Sequence, residues 1–325
     1  MTRPDYYRRL WRMFRAYRKK RARLDYLPVR LWVEPTSVCN LRCVMCPNKD
    51  LPKAQKWFMD LALFKKVIDE AKDFVFDVHL LHRGESLLHP DFFEMVRYAH
   101  EAGLATRFHT NGTLLDEDKS RRLIESGLDQ FAFSFDGFDA ETYESIRVNA
   151  GFEKTVANIR RFLEVKRDMG RRKPVTFIEL IHFPDVFKNV DRAKRRAFLD
   201  RFKGLPIDHV HIKELHNWAG DAGGAEPKGR YTPCTFLWHA LVIFWDGQVL
   251  PCTQDFFGDL ALGNVRESSI RELWNGDKLV RLRERILARE VANLETCGRC
   301  DRLWRPQLFG VPREYLGRAL LKKMN

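Results

Sequence analysis

The 325-residue sequence contains no long apolar run, no secretory signal and no internal repeat. Its longest apolar stretch, Leu237–Trp245, is interrupted by His239 and is far shorter than the roughly 20 residues of a membrane-spanning helix. Seven cysteines cannot all pair with one another, which disfavours a secreted disulfide scaffold. Since 45% of the residues are hydrophobic, the chain can bury a core, and we expect a cytoplasmic globular protein.

Acidic residues are scarce at the N-terminus. Residues 1–24 contain ten Arg or Lys and one acid, Asp5, and contribute +9 of the formal net charge of +13. The remaining residues carry only +4. A body with so small an excess of positive charge is not typical of nucleic-acid-binding proteins, so we expect no nucleic-acid partner.

The basic segment also has the periodicity of an amphipathic helix. Its apolar side chains recur every three or four residues, at Tyr7, Leu10, Trp11, Phe14 and Tyr17. Three interpretations stay open at this point. The stripe packs on the main domain, or it contacts an anionic membrane surface or a lipid-linked partner, or the segment binds nucleic acid, which is favoured least. A membrane contact would place the protein peripherally at the inner membrane face.

Strand-like and helix-like segments alternate between residues 30 and 215, a pattern that predicts βαβ units and a parallel sheet. The predicted strands are Arg30–Glu34, Phe74–Leu81, Ala105–Thr110, Gln130–Phe135, Val175–Ile181 and His209–Lys213. The predicted helices lie near 61–72, 90–102, 117–126, 153–168 and 189–202. Six such strands form either an open doubly wound sheet or a partial (β/α) barrel, and both gather ligands at the carboxyl ends of the strands.

The composition changes at residues 216–230, where Gly, Ala and charged residues predict a linker. Beyond it, Leu241–Trp245 and Gln248–Pro251 flank Asp246-Gly247, a dipeptide typical of tight hairpins, and helices are predicted at 268–275 and 277–290. The expected organisation is a basic helix (1–29), a β/α core (30–215), the linker, a second cysteine-bearing domain (231–305) and a tail (306–325).

All seven cysteines fall into two groups. Cys39, Cys43 and Cys46 follow the first predicted strand in C-x3-C-x2-C spacing, and the other four, Cys234, Cys252, Cys297 and Cys300, lie beyond the linker. Thiolates favour zinc or iron–sulfur clusters. A closed zinc site needs four ligands, whereas three cysteines on a four-iron cluster leave one iron open for a substrate or cofactor. Four further cysteines would saturate a second cluster.

The segment Glu34–Pro47, EPTSVCNLRCVMCP, resembles the cluster loop of the radical SAM enzymes. The resemblance implies a partial (β/α)6 barrel and a 4Fe–4S cluster held by Cys39, Cys43 and Cys46. It also implies that S-adenosylmethionine (SAM), bound at the open iron, is cleaved reductively to methionine and a 5′-deoxyadenosyl radical that abstracts a substrate hydrogen. A reductant such as flavodoxin or ferredoxin would supply the electron.

Later positions match the SAM contacts of this family in order. Arg83–Ser86 stands where the family has Gly-Gly-Glu-Pro, a motif that holds the methionine amino group of SAM. Gly84 and Glu85 match this motif, and Arg83 and Ser86 do not. The SAM-binding residues that the resemblance implies are Gly84, Glu85, Asn111, Ser134 and Asp136, with Glu179 and 211–213 as weaker candidates.

The C-terminal part resembles the SPASM/twitch extension of the same superfamily. The matching positions are Cys234, Asp246-Gly247, Pro251-Cys252, Gly263-Asn264, Leu273–Asn275 and Cys297-x-x-Cys300. Cys234, Cys252, Cys297 and Cys300 suffice for one auxiliary 4Fe–4S cluster, as in one-cluster enzymes of the 2-deoxy-scyllo-inosamine dehydrogenase type.

Three functional hypotheses follow. The first is an oxidoreductase for a small or glycan-like substrate, free or lipid-linked. The second is a peptide-modifying maturase, although only 29 residues precede the first predicted strand, fewer than the leader-binding domain of many maturases needs. The third is a zinc protein that binds nucleic acid. Alcohol oxidation requires a proton acceptor, and the candidates are His82, Arg83, His89, His109, Tyr143 and Asp255.

Overall fold

The computed structural model describes residues 3–183, 192–214, 217–220, 229–308 and 311–312. Most of the predicted linker 216–230, the first residues of the predicted helix 189–202 and most of the tail 306–325 lie outside the described residues.

Strands and helices alternate along the described chain. The strands are β1 (Arg30–Val33), β2 (Asp77–Leu80), β3 (Ala105–Thr110), β4 (Gln130–Ser134), β5 (Val175–His182), β6 (His209–Glu214), β7 (Arg230–Tyr231), β8 (Ala240–Ile243), β9 (Gln248–Leu250), β10 (Gly263–Asn264), β11 (Trp304–Arg305), β12 (Gln307–Leu308) and β13 (Val311–Pro312). The α-helices are α1 (Arg3–Arg18), α2 (Leu61–Ala71), α3 (Phe92–Glu101), α4 (Glu117–Glu125), α5 (Ala140–Ile146), α6 (Phe152–Asp168), α7 (Arg192–Asp200), α8 (Ile270–Trp274), α9 (Asp277–Ala288) and α10 (Glu295–Gly298).

Strands β1 to β6 pair in parallel in chain order, which confirms the α/β fold with a partial barrel. Two local details differ from the sequence analysis. Strand β2 begins later than predicted because the N–H groups of Phe74 and Val75 donate to the Ala71 carbonyl and close α2. Helix α5 was not predicted, and it begins where the Asp139 carboxylate accepts a hydrogen bond from the Thr142 N–H (2.8 Å).

Alternation along the strands separates an apolar face from a polar face. One core contains the apolar sides of α2, α3, α4 and α6. It also contains fully buried side chains of the strands, namely Leu31, Val78, Phe108, Phe131 and Ile178. The opposite face, here called the inner face, carries polar side chains that contact one another within β2 and between strands: Arg30, Asp77, His79, Arg107, His109 and Glu179. The inner face and the carboxyl ends of the strands are therefore available for a site.

The C-terminal hairpin is part of the same sheet. Strand β8 pairs in parallel with β1, in the register Arg30↔Ala240 to Val33↔Ile243, and β9 and β10 follow as antiparallel neighbours. The order of the nine-stranded sheet is β10-β9-β8-β1-β2-β3-β4-β5-β6. The predicted hairpin is confirmed, and its attachment to β1 brings the second cysteine group to the edge of the barrel.

Helix α1 packs on the body with one side only. The Arg9 guanidinium donates a hydrogen bond to the Phe74 carbonyl (2.7 Å), and the Tyr17 hydroxyl donates one to the Pro233 carbonyl (2.8 Å). Tyr17 is buried, whereas Trp11 remains 58% exposed. Among the described residues, none of the helices combines the length and the hydropathy needed to span a bilayer.

We predict that Trp274→Ala strongly destabilises the chain. Trp274 is fully buried, donates a hydrogen bond from its indole N–H to the Tyr26 carbonyl (2.6 Å) and lies under the Arg283 guanidinium. The cavity and the unpaired carbonyl should lower the free energy of unfolding by about 3–5 kcal/mol. Urea unfolding of the reconstituted protein under anaerobic conditions measures this loss. The matched control is Trp57→Ala, where the side chain is 62% exposed; equal losses for both variants would contradict the assigned core position.

Candidate active site

The segment between β1 and α2, residues 34–60, carries the first cysteine group, and we call it the cluster loop. Cys39, Cys43 and Cys46 lie in one apolar cluster with Met45 and Ile146. Burial raises the pKa of all three thiols, to about 12 for Cys39 and about 11 for Cys46. The metal-free thiols are therefore neutral, and a bound metal is what deprotonates such groups.

The donor set of the cluster loop fits an iron–sulfur cluster with an open iron. Three soft sulfur atoms lie in an apolar shell, and clusters of this kind are held by cysteine thiolates. In the described part of the chain, no three His, Cys, Asp or Glu side chains are gathered closely enough for a single metal ion.

Glycine is required where the end of β2 meets the cluster loop. Asn48 ties the two together, since its side-chain amide donates a hydrogen bond to the Arg83 carbonyl (2.8 Å). A Cβ on the next residue, Gly84, would lie 2.4 Å from the carbonyl oxygen of Thr36 and 2.5 Å from that of Val38. Any side chain at Gly84 would therefore push the cluster loop away from β2.

Glu85 and Asn111 are held together beside the cluster loop. Both carboxylate oxygens of Glu85 accept hydrogen bonds, from the Thr110 hydroxyl (2.8 Å) and the Asn111 N–H (2.8 Å). Burial raises the pKa of Glu85, although these hydrogen bonds oppose the shift. The side chain of Asn111 donates to that of Asn40 in the cluster loop (3.0 Å). Two of the predicted SAM-binding residues thus meet at one point.

Asp136 has a chain-internal role that the sequence did not reveal. Its carboxylate binds the Arg147 guanidinium (2.5 Å) and accepts a hydrogen bond from the Ile181 N–H (2.6 Å). Arg147 in turn lies 3.9 Å from the Cys43 sulfur. Burial alone lowers the pKa of Arg147, but Asp136 raises it above its ordinary value, so the guanidinium remains charged. Its Nε is buried without a hydrogen-bond partner among the described residues.

Sequence reasoning missed Arg147, and no local signal identifies it. The residue follows α5, an unpredicted helix, and reaches the cysteines only because the cluster loop hydrogen bonds to this segment. The Val44 N–H donates to the Ile146 carbonyl (3.0 Å), and the Arg42 N–H donates to the Val148 carbonyl (3.1 Å).

Ser134, the remaining predicted SAM-binding residue, ends β4 and lies in register with Glu179 on β5. On the inner face, Glu179 pairs with His109 (Nδ1 to Oε2, 3.2 Å) and with Lys213 (2.5 Å). Burial alone raises the pKa of Glu179, but both partners bring it below its ordinary value, whereas burial lowers the pKa of His109. The inner face thus offers a neutral imidazole held by a carboxylate.

The ends of β1 and β2 are joined by a buried ion pair. Arg83 stands where the family has glycine, and its guanidinium binds both carboxylate oxygens of Glu34, at 2.7 and 2.8 Å. It also lies 3.4 Å from the centre of the Phe244 ring and donates to the Phe256 carbonyl (3.4 Å). Burial raises the pKa of Glu34, but Arg83 outweighs this effect and lowers it to about 2.

His82 strengthens the same connection. One ring nitrogen lies 3.4 Å from the Glu34 carboxylate, and the other lies 3.1 Å from the Thr253 carbonyl. The residue next to Thr253 is Cys252 of the second cysteine group. Arg83 and His82 therefore connect the cluster loop with the segment that follows the C-terminal hairpin.

The second cysteine group converges from three distant parts of the chain. All four cysteines line one cavity, together with Leu237, Leu260 and Leu303: Cys234, Cys252, Cys297 and Cys300. Burial raises the pKa of each of the three thiols at 252, 297 and 300, to about 12 for Cys300, and the neighbouring thiols add to the shift. Four convergent sulfur donors fit a cluster whose irons are all bound by the protein.

Most of the candidate proton acceptors form hydrogen bonds within the chain. His89 accepts from the Asp91 N–H and binds the Met59 carbonyl. The Tyr143 hydroxyl donates to Thr155, and Asp255 accepts from the N–H groups of residues 259 and 260. With His82 and Arg83 engaged as above, His109 is the candidate that the structure places on the inner face.

A partial parallel barrel with one cysteine group after its first strand and a second group gathered around one cavity of the C-terminal part suits a two-cluster iron–sulfur enzyme. Residues 33–185 match the sequence model of the Radical SAM superfamily, and residues 227–301 match that of SPASM, an iron–sulfur cluster-binding domain. The chain therefore carries a radical SAM domain followed by a SPASM domain, and the cofactors of these domains are SAM and 4Fe–4S clusters.

Curated relatives span several activities. A cofactor-modifying protein of tungsten-containing aldehyde ferredoxin oxidoreductase from Pyrococcus furiosus is 28% identical over 76% of this chain and 81% of its own. PqqA peptide cyclase from Gluconobacter oxydans is 26% identical over 76% of each chain. The 2-deoxy-scyllo-inosamine dehydrogenase from Niallia circulans is 22% identical over 86% of this chain and 94% of its own. The names of these relatives indicate different substrates.

Solved structures agree with the fold. BtrN, crystallised with AdoMet and 2-DOIA, superposes with a TM-score of 0.58 at 21% identity and covers 85% of this chain and 94% of its own. SuiB from Streptococcus suis superposes with a TM-score of 0.63 at 15% identity and covers 100% of this chain and 81% of its own. At these identities the likeness establishes the fold alone.

We predict that Gly84→Ala removes the cluster of the cluster loop and spares the other one. The added methyl group meets backbone oxygen atoms, which cannot rotate away as a side chain can. Iron and sulfide analysis after anaerobic reconstitution should show a loss of about half, as expected when one of two 4Fe–4S clusters is missing. The control is Gly151→Ala, where a Cβ meets nothing closer than Lys154 at 4.0 Å. Full iron content in Gly84→Ala would contradict the tight contact.

Proposed function

We propose that this enzyme oxidises a hydroxyl group of a small or glycan-like substrate, free or lipid-linked, by radical SAM chemistry assisted by one auxiliary cluster. The observation that carries the proposal is the grouping of the cysteines, three in the cluster loop and four around one cavity. With SAM and its cluster bound, Cys39, Cys43 and Cys46 would hold the group that supplies a radical for hydrogen abstraction from the substrate. We assign the core to residues 30–215 and the auxiliary domain to residues 231–305.

In this proposal, Cys39, Cys43 and Cys46 hold the cluster that binds SAM. Gly84 keeps that cluster close to β2, and Glu85 receives the ammonium group of SAM, which offsets the desolvation of its buried carboxylate. Asn111 and Ser134 border the same space at the ends of β3 and β4.

Arg147 is assigned to the carboxylate of SAM. It is a charged, buried guanidinium beside Cys43 with one donor, Nε, that lacks a partner among the described residues. Asp136 then acts through Arg147, as a positioning residue that fixes the guanidinium, and not as a direct contact.

The auxiliary cluster is assigned to Cys234, Cys252, Cys297 and Cys300. Because four protein thiolates would leave no open iron, this cluster is suited to accept an electron and not to bind substrate. Its placement beside the Glu34–Arg83 ion pair links it to the cluster loop.

His109 is the proton acceptor in this scheme. Conversion of an alcohol to a ketone would remove one carbon-bound hydrogen atom, one electron and the hydroxyl proton; the cofactors would take up the hydrogen atom and the electron, and His109 would take the proton. The lowered pKa keeps the imidazole neutral, and its Nδ1 faces Glu179, so Nε2 is the nitrogen assigned to accept the proton. Glu179 then stabilises the imidazolium ion.

Peptide modification is the second candidate. It is favoured by the relative named PqqA peptide cyclase and by SuiB, which was also crystallised bound to the precursor peptide SuiA. In either case we propose a soluble electron donor such as flavodoxin or ferredoxin and a peripheral membrane contact through residues 1–24.

Two cysteine variants test the proposed function and serve as controls for each other. Cys43→Ala should abolish 5′-deoxyadenosine formation, because SAM would lose the cluster that reduces it. Cys252→Ala should lose the auxiliary cluster by iron analysis and yet retain uncoupled SAM cleavage. Chromatography of the products after dithionite reduction measures both. Normal 5′-deoxyadenosine formation by Cys43→Ala would refute the assigned site.

We further predict that Arg147→Lys weakens SAM binding while both clusters remain. Lysine keeps the charge next to Asp136 but lacks the Nε donor, and losing one hydrogen bond to a charged group should weaken affinity about tenfold. A titration of the reduced protein with SAM, followed by the electron paramagnetic resonance spectrum of the cluster, gives the affinity. The control is Arg122→Lys, an exposed position on α4. Unchanged affinity in Arg147→Lys would contradict the assignment.

A further inference from the structure

Helix α1 has a side that is firmly attached to the body. Tyr6 contacts Phe76 with ring centres 4.4 Å apart, and Arg9 donates to the Phe74 carbonyl (2.7 Å). At the other end of the helix, Tyr17 packs edge-on against Trp238 (5.5 Å). The helix is therefore fixed in its rotation, and the side chains on its outer side are those that the packing leaves exposed.

The outer side carries a row of aromatic rings. Tyr7, Trp11 and Phe14 are 60%, 58% and 36% exposed, and we call these three residues the aromatic stripe. Their spacing of four and three residues places them on one line along the helix. Trp11 and Phe14 stack on each other with ring centres 5.7 Å apart. A continuous apolar row on the surface is typical of a contact with a partner or a membrane.

Basic side chains border the aromatic stripe. The exposed basic residues are Arg15 and Arg18 on the helix and Lys19, Lys20 and Arg21 directly after it. The acid of this segment, Asp5, is paired with Arg8 (2.9 Å) and so does not offset their charge.

We propose that the aromatic stripe and these basic residues form an interfacial membrane-binding surface for a bilayer rich in anionic phospholipid. The aromatic rings would enter the boundary between head groups and acyl chains, and the Arg and Lys side chains would contact the phosphates. A bilayer fits better than a nucleic acid duplex, because the exposed aromatic rings need an apolar phase to enter, and the charged surface of a duplex does not offer one. This inference deepens the membrane contact proposed above and does not depend on the substrate.

The position of α1 gives the bound protein an orientation. The helix contacts Phe74 and Phe76, just before β2 begins, whereas the cluster loop follows the end of β1, and β1 and β2 are parallel. The two features therefore lie at opposite ends of the strands. Binding through α1 leaves the cluster loop facing water.

The test compares vesicle binding by the full-length, anaerobically reconstituted protein and two variants. The first variant is the triple substitution Tyr7→Ser, Trp11→Ser and Phe14→Ser, which leaves the packed side of α1 intact. The control is Trp57→Ser, which removes an equally exposed tryptophan from the cluster loop. Co-sedimentation uses phosphatidylcholine vesicles with and without phosphatidylglycerol, at low and high salt.

We expect the wild-type protein and Trp57→Ser to bind the vesicles that contain phosphatidylglycerol, and salt to weaken this binding. The triple variant should bind at least roughly tenfold more weakly. A triple variant that sediments as the wild type does would overturn the proposal, because charge alone would then explain binding. Tighter binding of the wild type to duplex DNA than to these vesicles would also overturn it and assign the surface to nucleic acid.

A depth measurement separates insertion from surface adsorption. Bromine-labelled lipids should quench tryptophan fluorescence more in the wild type than in Trp11→Phe, and equal quenching would contradict insertion of Trp11. The outcome is independent of the proposed chemistry. Uncoupled 5′-deoxyadenosine formation without vesicles should be the same for the triple variant and the wild type, and its absence in both would count against the proposed function and not against this surface.

Discussion

The buried ion pair between Glu34 and Arg83 is the interaction on which the relative placement of the two cysteine groups depends. Glu34 directly follows β1 and opens the cluster loop, while Arg83 reaches the Phe256 carbonyl, four residues after Cys252. A buried ion pair offsets its desolvation only with good geometry and additional hydrogen bonds. Here both carboxylate oxygens are bound and the guanidinium lies on the Phe244 ring. Loss of one partner would leave an unpaired charge at the junction of the barrel and the hairpin.

Local patterns were sufficient to predict the six barrel strands and the cluster loop, since periodicity and cysteine spacing are properties of short segments. The parallel pairing of β8 with β1 could not be predicted, because its partners are far apart in the sequence and the apolar run of β8 fits many neighbours. The ion pair of Arg83 and the position of Arg147 were not predicted for a related reason. Their partners, such as Glu34 and Asp136, are brought close only by the complete fold.

The predicted SAM-binding residues also show that a motif residue can serve the site indirectly. Glu85 fixes Asn111 with one carboxylate oxygen, and Asp136 fixes Arg147. Each of these carboxylates is buried and hydrogen-bonded within the chain, so the groups around the cluster loop are in place before a cofactor binds. Because these polar groups are already fixed, less conformational entropy is lost when a cofactor binds. The motif residues therefore lie around the cluster loop, and the structure shows which of them hold other groups of the chain in place.

Helix α1 shows why periodicity alone could not decide what its apolar stripe contacts. The sequence grouped Tyr17 with Tyr7 and Trp11 in one apolar stripe, but the structure buries Tyr17 and leaves the other two exposed. The apolar residues of α1 therefore serve two purposes, because Tyr17 packs on the rest of the protein and Tyr7 and Trp11 remain on the surface. Because α1 lies at the amino ends of the strands, attachment through it would turn the cluster loop toward the aqueous phase, where a soluble electron donor has access. A lipid-linked substrate would then have to extend its polar head group from the bilayer along the full depth of the barrel, which favours long glycan-like head groups over short ones.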